Sequence, residues 1–184
     1  MSWPSVALGD LFSVASGGTP SRKNREYYDG GNISWIKTGD LHLKHLDRAS
    51  ELITKEGLEN SSAKLFPKGT VLIAMYGATI GACSILDIEA CTNQACAAFL
   101  PNDNVSPEYL YYFFKANRKN FEMAGVGGAQ PNISAKYLKE YKIPLPPLPI
   151  QKQIAALLEK ADTLRSQCKQ MEQELNQLAQ SVFL

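Results

Sequence analysis

The side chains in this 184-residue chain that could do chemistry are cationic and polar rather than nucleophilic or metal-binding. Ser21, Arg22, Lys23 and Arg25 follow the loop-forming Gly17-Gly18-Thr19-Pro20 and precede Tyr27-Tyr28-Asp29-Gly30-Gly31. Lys37 and Thr38 close a strand-like stretch, Asn32-Ile33-Ser34-Trp35-Ile36-Lys37. Cations beside aromatics on a glycine-rich loop suit a nucleic-acid backbone, because they neutralise phosphates where the chain is exposed. Tyr76 and Thr79 sit in a break between two apolar runs, and Gln130 and Asn132 sit in a second glycine-rich loop. Such groups supply the donors and acceptors that read groove edges. Each has an ordinary alternative: Thr79 as a strand terminator, Gln130 and Asn132 as partners of turn backbone, Tyr76 as core.

Other chemistries lack their residues. There is no GxxxxGK[ST], GxSxG or HExxH, and Gly125-Val126-Gly127-Gly128 is too short for a phosphate cradle. Glu140-Tyr141-Lys142 matches half of a nuclease motif but has no Pro-Asp before it; a surface Glu and Lys flanking a packed Tyr is the simpler reading. No Asn-Pro-Pro-Tyr-like motif is present, so methyl transfer to an amine would come from another chain. Cys83, Cys91, Cys96 and Cys168 lack CxxC spacing, and His42 and His45 read as surface polar groups, so no metal is expected. No basic-then-apolar leader is visible at Met1–Ser5, which predicts reduced thiols and a cytoplasmic location. No apolar run approaches the length of a membrane span. Net charge is +1, but the basic residues are clustered. Residues 111–142 carry six Lys/Arg against two acids, and residues 19–48 carry six against four. Clusters of this kind can meet phosphates on a near-neutral protein. The reading is a binding module, not a self-sufficient enzyme.

The elements that would position these groups are legible in part. Residues 5–13 read as a short helix or turn packing Val6, Leu8, Leu11 and Phe12. The apolar runs Thr70–Met75, Ile80–Leu86 and Gln94–Leu100 read as buried strands. Ser106-Pro107-Glu108 starts a helix, with Ser at the cap, Pro at N1 and an acid in the first turn. That helix runs to about Met123, with Leu110, Phe113, Phe114, Ala116 and Phe121 available to the core. Ser134 caps a shorter one, and Lys142–Leu145 is extended. Short strands with few helices between them predict an α+β fold with a mixed sheet over residues 1–145. From Pro149 a long helix follows. Ile150, Ile154, Leu157, Ala161, Leu164, Cys168, Met171, Leu175, Leu178 and Val182 step alternately by four and three. That 3.5-residue period marks a coiled-coil seam, and 32 residues reach about 48 Å. The abundant glutamines, Gln151 among them, suggest a weakly charged outer face.

Four stretches taken together resemble the specificity subunit of type I restriction–modification enzymes. They are Ser16–Ser21 with Ile33–Asp40, Gly69–Gly81, Thr92–Cys96, and Gly128–Ser134 running into Ile143–Ile154 with its proline cluster. The resemblance covers nearly the whole chain. It implies a target-recognition domain (1–145) that reads one half of a split site in double-stranded DNA. The long helix (149–184) would set the gap between halves and dock modification and restriction subunits. It implies no cofactor on this chain; S-adenosylmethionine, ATP and magnesium would belong to the partners. With one domain and one helix, the chain resembles half of such a subunit, either a fragment or a natural half that pairs as an antiparallel homodimer. A coiled-coil adaptor without DNA affinity is the alternative.

Overall fold

The computed structural model describes residues 3–125 and 131–182. Gln130 lies outside them, and of Val182 only the backbone is described. The chain opens with β1 (Ser5–Ala7), the single turn α1 (Leu8–Leu11) and β2 (Val14–Ser16). A loop leads to β3 (Ile33–Ile36), β4 (His45–Leu46), β5 (Leu52–Ile53), the short α2 (Lys55–Glu59) and β6 (Leu65–Phe66). Then come β7 (Val71–Ala74), β8 (Cys83–Leu86), β9 (Ala90–Thr92) and β10 (Cys96–Phe99). Helix α3 (Pro107–Ala124), α4 (Ala135–Glu140), β11 (Lys142–Pro144) and α5 (Leu148–Val182) complete the order.

The strands form three sheets: β2-β10-β7-β8-β4, β5-β3-β9-β6 and the pair β1-β11. Pairing is antiparallel except β4 with β8 and β3 with β9, so the two larger sheets are mixed as expected. Every residue of β7, β8 and β10 is buried. Their apolar runs show no alternation because both sheet faces are covered. Ile73, Ile85, Ala97 and Phe99 face α3 through Leu110, Phe114 and Phe121. Leu72, Ala74, Leu86 and Ala98 face the other way, onto Ile36, Leu46 and Phe66. A third small core joins Trp35, Ile53, Ala63 and Cys91. The two-residue strands β4, β5 and β6 lie between residues 45 and 66, and residues 5–7 are a strand rather than a helix.

Helix α3 begins as its cap dictates. The Tyr109 N–H donates to Ser106 Oγ at 3.4 Å, Pro107 is at N1, and Glu108 Oε2 accepts from the Ser106 hydroxyl at 2.5 Å. Its core face is more tyrosine-rich than expected. Tyr109, Tyr111 and Tyr112 are buried, whereas Phe113 is half-buried and Ala116 exposed. Tyrosine is accommodated where its hydroxyl finds a partner, as Tyr109 does on the Pro144 carbonyl at 2.9 Å. Ser134 caps α4 in the same way, with Tyr137 N–H at 3.0 Å.

Helix α5 has 35 residues, a reach of about 52 Å at 1.5 Å per residue. Its base is tied down by Gln151, which is not on the outer face but 0 % exposed. Gln151 Oε1 accepts the Ser106 N–H, and its Nε2 donates to the Asn104 and Pro146 carbonyls, all at 2.9 Å. Ile154 also turns inward and packs on the α3 core, and Ile150 is half-buried. Beyond these, Leu157, Leu164, Met171, Leu175 and Leu178 are each 60–69 % exposed. Gln151 and Ala155 are buried while Leu157 and Leu164 face away, on roughly opposite sides of a helix with 3.6 residues per turn.

Candidate nucleic-acid interface

Backbone hydrogen bonds draw several loops side by side at one edge of the sheets. The Gly18 N–H donates to Thr92 O at 2.9 Å, and the Asn93 N–H to Ile36 O at 3.0 Å. The Met75 N–H donates to Ala95 O at 2.8 Å, and the Ile133 N–H to Met75 O at 2.9 Å. Tyr76 and Asn132 form a bridge, with the Gly77 N–H on Pro131 O at 2.9 Å. The loops at 17–21, 36–38, 93–95, 76–79 and 131–132 thus form one edge. Two glycines permit it. A Cβ on Gly17 would come within 1.9 Å of Thr92 O, and Gly77 turns the chain at φ +65°.

Tyr76 is 45 % exposed, which removes the core alternative, and Asn132 is exposed beside it. Thr79 lies in the same single turn; its hydroxyl donates to Tyr76 O at 3.0 Å, so it braces the turn whatever else it does. Thr38 and Thr79 line one cleft of about 430 Å³ with His42, Tyr111, Lys115 and Arg118. Gln94, also exposed, holds the Thr19 hydroxyl at 2.6 Å. Gln94, Lys115 and Arg118 were not among the expected site residues. The signal available for the last two was their i, i+3 spacing inside the second basic cluster.

The basic loop divides. Arg22 meets Glu51 through both guanidinium nitrogens, and Lys37 Nζ lies 3.0 Å from the same carboxylate. The Arg22 guanidinium also sits 4.4 Å from the Tyr28 ring centre and 5.0 Å from that of Trp35. These rings are fixed in turn: Tyr28 Oη donates to Pro20 O at 2.6 Å, and Trp35 Nε1 to Gly18 O at 3.0 Å. The Arg22 hydrogen bond, with help from Lys37, pulls the Glu51 carboxyl down to about 2, and Glu51 raises the Arg22 guanidinium in return. Glu51 thus offsets one of the two positive charges of Arg22 and Lys37, whose side chains remain partly exposed. Ser21, Lys23 and Arg25 are exposed, and the two cations enter no ion pair among the described residues. Tyr27 is half-buried against Gly57, and its carbonyl accepts the Thr54 N–H at 2.9 Å.

Burial pushes the Cys83 and Cys96 thiols up to about 12 and Cys91 to about 11, so all three stay protonated and unreactive at neutral pH. Along α5, Leu157, Ala161, Leu164, Cys168, Met171, Leu175 and Leu178 form the exposed stripe, whereas Ile154 packs on the core and Ile150 is half-buried. The Val182 side chain lies outside the described residues. Among those residues no helix is long and apolar enough to cross a membrane.

The sequence model of the family described as "Type I restriction modification DNA specificity domain" matches residues 2–180. The chain is 34 % identical over 98 % of its length to the type I restriction enzyme MjaIX specificity subunit of Methanocaldococcus jannaschii, covering 43 % of that protein. It is 30 % identical over 85 % of its length to the EcoR124I/EcoR124II specificity subunit of Escherichia coli, covering 40 % of it. The crystal structure of the HsdS subunit from Thermoanaerobacter tengcongensis superposes with a TM-score of 0.71 at 24 % identity, over 91 % of this chain and 39 % of that one. The chain thus spans about two-fifths of the length of these relatives, and the overall fold is shared with the solved structure.

Proposed function

The chain belongs to the family of type I restriction–modification DNA specificity domains, and we propose that it reads one half of a two-part target in double-stranded DNA. Reading is done by the loop edge that carries Tyr76, Gln94 and Asn132, with Lys23 and Arg25 meeting phosphates beside it. The observation that carries this reading is the convergence of those loops at the ends of β7, β9 and β10, whose residues are all buried. Base readout needs polar groups held to well under an ångström, and a sheet edge provides that better than a free loop.

The domain division expected at residues 145–149 fits this role, with recognition before the proline cluster and spacing after it. The chain contributes binding, and methyl transfer, translocation and cleavage belong to partner subunits docked along α5. S-adenosylmethionine, ATP and magnesium would be bound there. Two copies paired antiparallel through the α5 stripe would read an interrupted palindrome, since a two-fold pair presents the same edge twice.

Mapping methylated adenines on DNA from cells that express the chain with its modification subunit tests the reading. The expected result is one bipartite motif that disappears when the chain is omitted. An unchanged motif, or none together with no affinity for any duplex, overturns it in favour of the adaptor.

A further inference from the structure

The contact between α5 and the rest of the molecule changes character along the helix. Gln151, Ile154 and Ala155 are packed into the core. Two turns later apolar contact has nearly run out, with Leu158 already 40 % exposed. At that point two ion pairs cross the gap. Lys44 Nζ lies 2.5 Å from Glu159 Oε1, and Lys115 Nζ meets Asp162. Lys44 is the most enclosed cation among these ion pairs, its side chain 16 % exposed. The two ammonium groups flank aromatic rings of α3: Lys44 is 5.2 Å from the Tyr112 ring centre, and Lys115 is 5.8 Å from both Tyr111 and Tyr112. Together they wall a crevice of about 430 Å³ between α3 and α5, and beyond Asp162 every described side chain on α5 is exposed.

We propose that Lys44–Glu159 and Lys115–Asp162 form a clamp that fixes the angle at which α5 leaves the recognition domain, and thereby select the gap between the two halves of the DNA target. The proposal rests on the reading of α5 as a spacer between reading heads. A helix anchored at one point can pivot, whereas one held at its base and again two to three turns on cannot. About 30 Å of helix projects past Asp162, so a tilt of about 6° swings its far end by about 3 Å, close to the rise of one base pair. Lys44 and Lys115 come from different elements, the segment before β4 and the middle of α3, so the clamp holds one turn of α5 from two sides of the domain. Ionic strength weakens partly exposed pairs, so the clamp loosens with added salt, while the Gln151 anchor at the base does not.

The test uses full-length chain with single spin labels at Lys64→Cys in the recognition domain and Lys169→Cys on α5, in a Cys168→Ser background and diluted into unlabelled chain. Distances are measured in the parent, in Lys44→Glu, in Glu159→Lys and in the double swap Lys44→Glu/Glu159→Lys. The parent and double swap should give one narrow distance, and each single reversal a broader one. In parallel, the unlabelled chain with native Lys64, Cys168 and Lys169, and its Lys44→Glu, Glu159→Lys and double-swap variants, are offered with modification subunits duplexes whose gap changes one base pair at a time. The single reversals should methylate gaps one base pair shorter or longer, with unchanged bases in each half, and the double swap should restore the parental gap. Distances in the single reversals as narrow as in the parent overturn the clamp. Broadened distances with an unaltered gap preference overturn its role in spacing. If the parent itself methylates nothing, the DNA reading fails, and the distance arm still decides the clamp.

Discussion

Glu51 sits beneath Arg22 and Lys37 and binds both, so a single carboxylate decides how much positive charge the first loop presents. With Glu51→Gln those cations are released, and each that finds a phosphate should steepen the dependence of log K on log salt by about 0.9. Fluorescence anisotropy on a scrambled duplex at several salt concentrations should show tighter, more salt-sensitive binding than the parent. Unchanged slopes would place the loop away from DNA. The same substitution has a stability signature. Folded Glu51 titrates near 2 against an ordinary 4.5. It therefore favours the folded state above about pH 4.5, and that contribution is lost as pH falls from 4.5 toward 2. The urea midpoint of Glu51→Gln should lie below the parent's at pH 7 and converge with it near pH 2. The effect is small because the pair is partly solvated. The shared Glu51 partner of Arg22 and Lys37 is not legible in sequence, because it lies 29 residues from Arg22. No local pattern announces a partner at that separation. Lys23 and Arg25 keep their expected exposure.

Among the elements, the base of α5 is tied to the start of α3 by one buried polar side chain. Gln151 gives its oxygen to the first turn of α3 and its nitrogen to two carbonyls, all inside the protein. Replacing it with Leu keeps the volume but leaves the Ser106 N–H and the Asn104 and Pro146 carbonyls without this partner. Buried unpaired groups cost about 1–3 kcal/mol each, so Gln151→Leu should lose about 2–4 kcal/mol in urea unfolding once partial rehydration is allowed for. Gln153→Leu, two residues on and exposed, should change stability by less than about 0.5 kcal/mol. Equal effects would show that the anchor is not structural. Elements with strong local signals were legible: the caps of α3 and α4, the buried runs β7, β8 and β10, and the period of α5. The two-residue strands were not, since no alternation fits in two residues and their pairing is set by partners such as Ile85 and Cys91. Gln151 was not either, because it resembles the exposed glutamines after it until Asn104, Ser106 and Pro146 are folded around it. At the candidate site the Tyr76 and Asn132 loops were legible from composition, while their side-by-side placement with Gln94 depends on long-range pairing.

For the whole molecule, α5 is a lever with two faces. One is consumed by Gln151, Ala155, Glu159 and Asp162 against α3, the loop before it and Lys44. The other leaves Leu157, Leu164, Met171, Leu175 and Leu178 in solvent along the same side. A partner helix can therefore lie along the outer stripe without displacing any contact of the monomer. A row of leucines at 3.5-residue spacing is unfavourable in water, since each side chain gains about 1.5–3 kcal/mol when fully covered. Sedimentation equilibrium of the chain should show self-association, or, in the presence of modification subunit, a stable mixed assembly. Leu164→Glu/Leu175→Glu should weaken either assembly by well over tenfold, because two buried charges without partners oppose it. Its thermal midpoint as a monomer should stay within a degree or two of the parent, because both positions are already solvated in the single chain. If the variant instead unfolds early, the stripe serves the fold of the monomer. If it assembles like the parent, the stripe is not the docking face. The contrast with Gln151→Leu makes the two faces separable: one substitution should cost stability within a single chain, and the other should cost only assembly between chains.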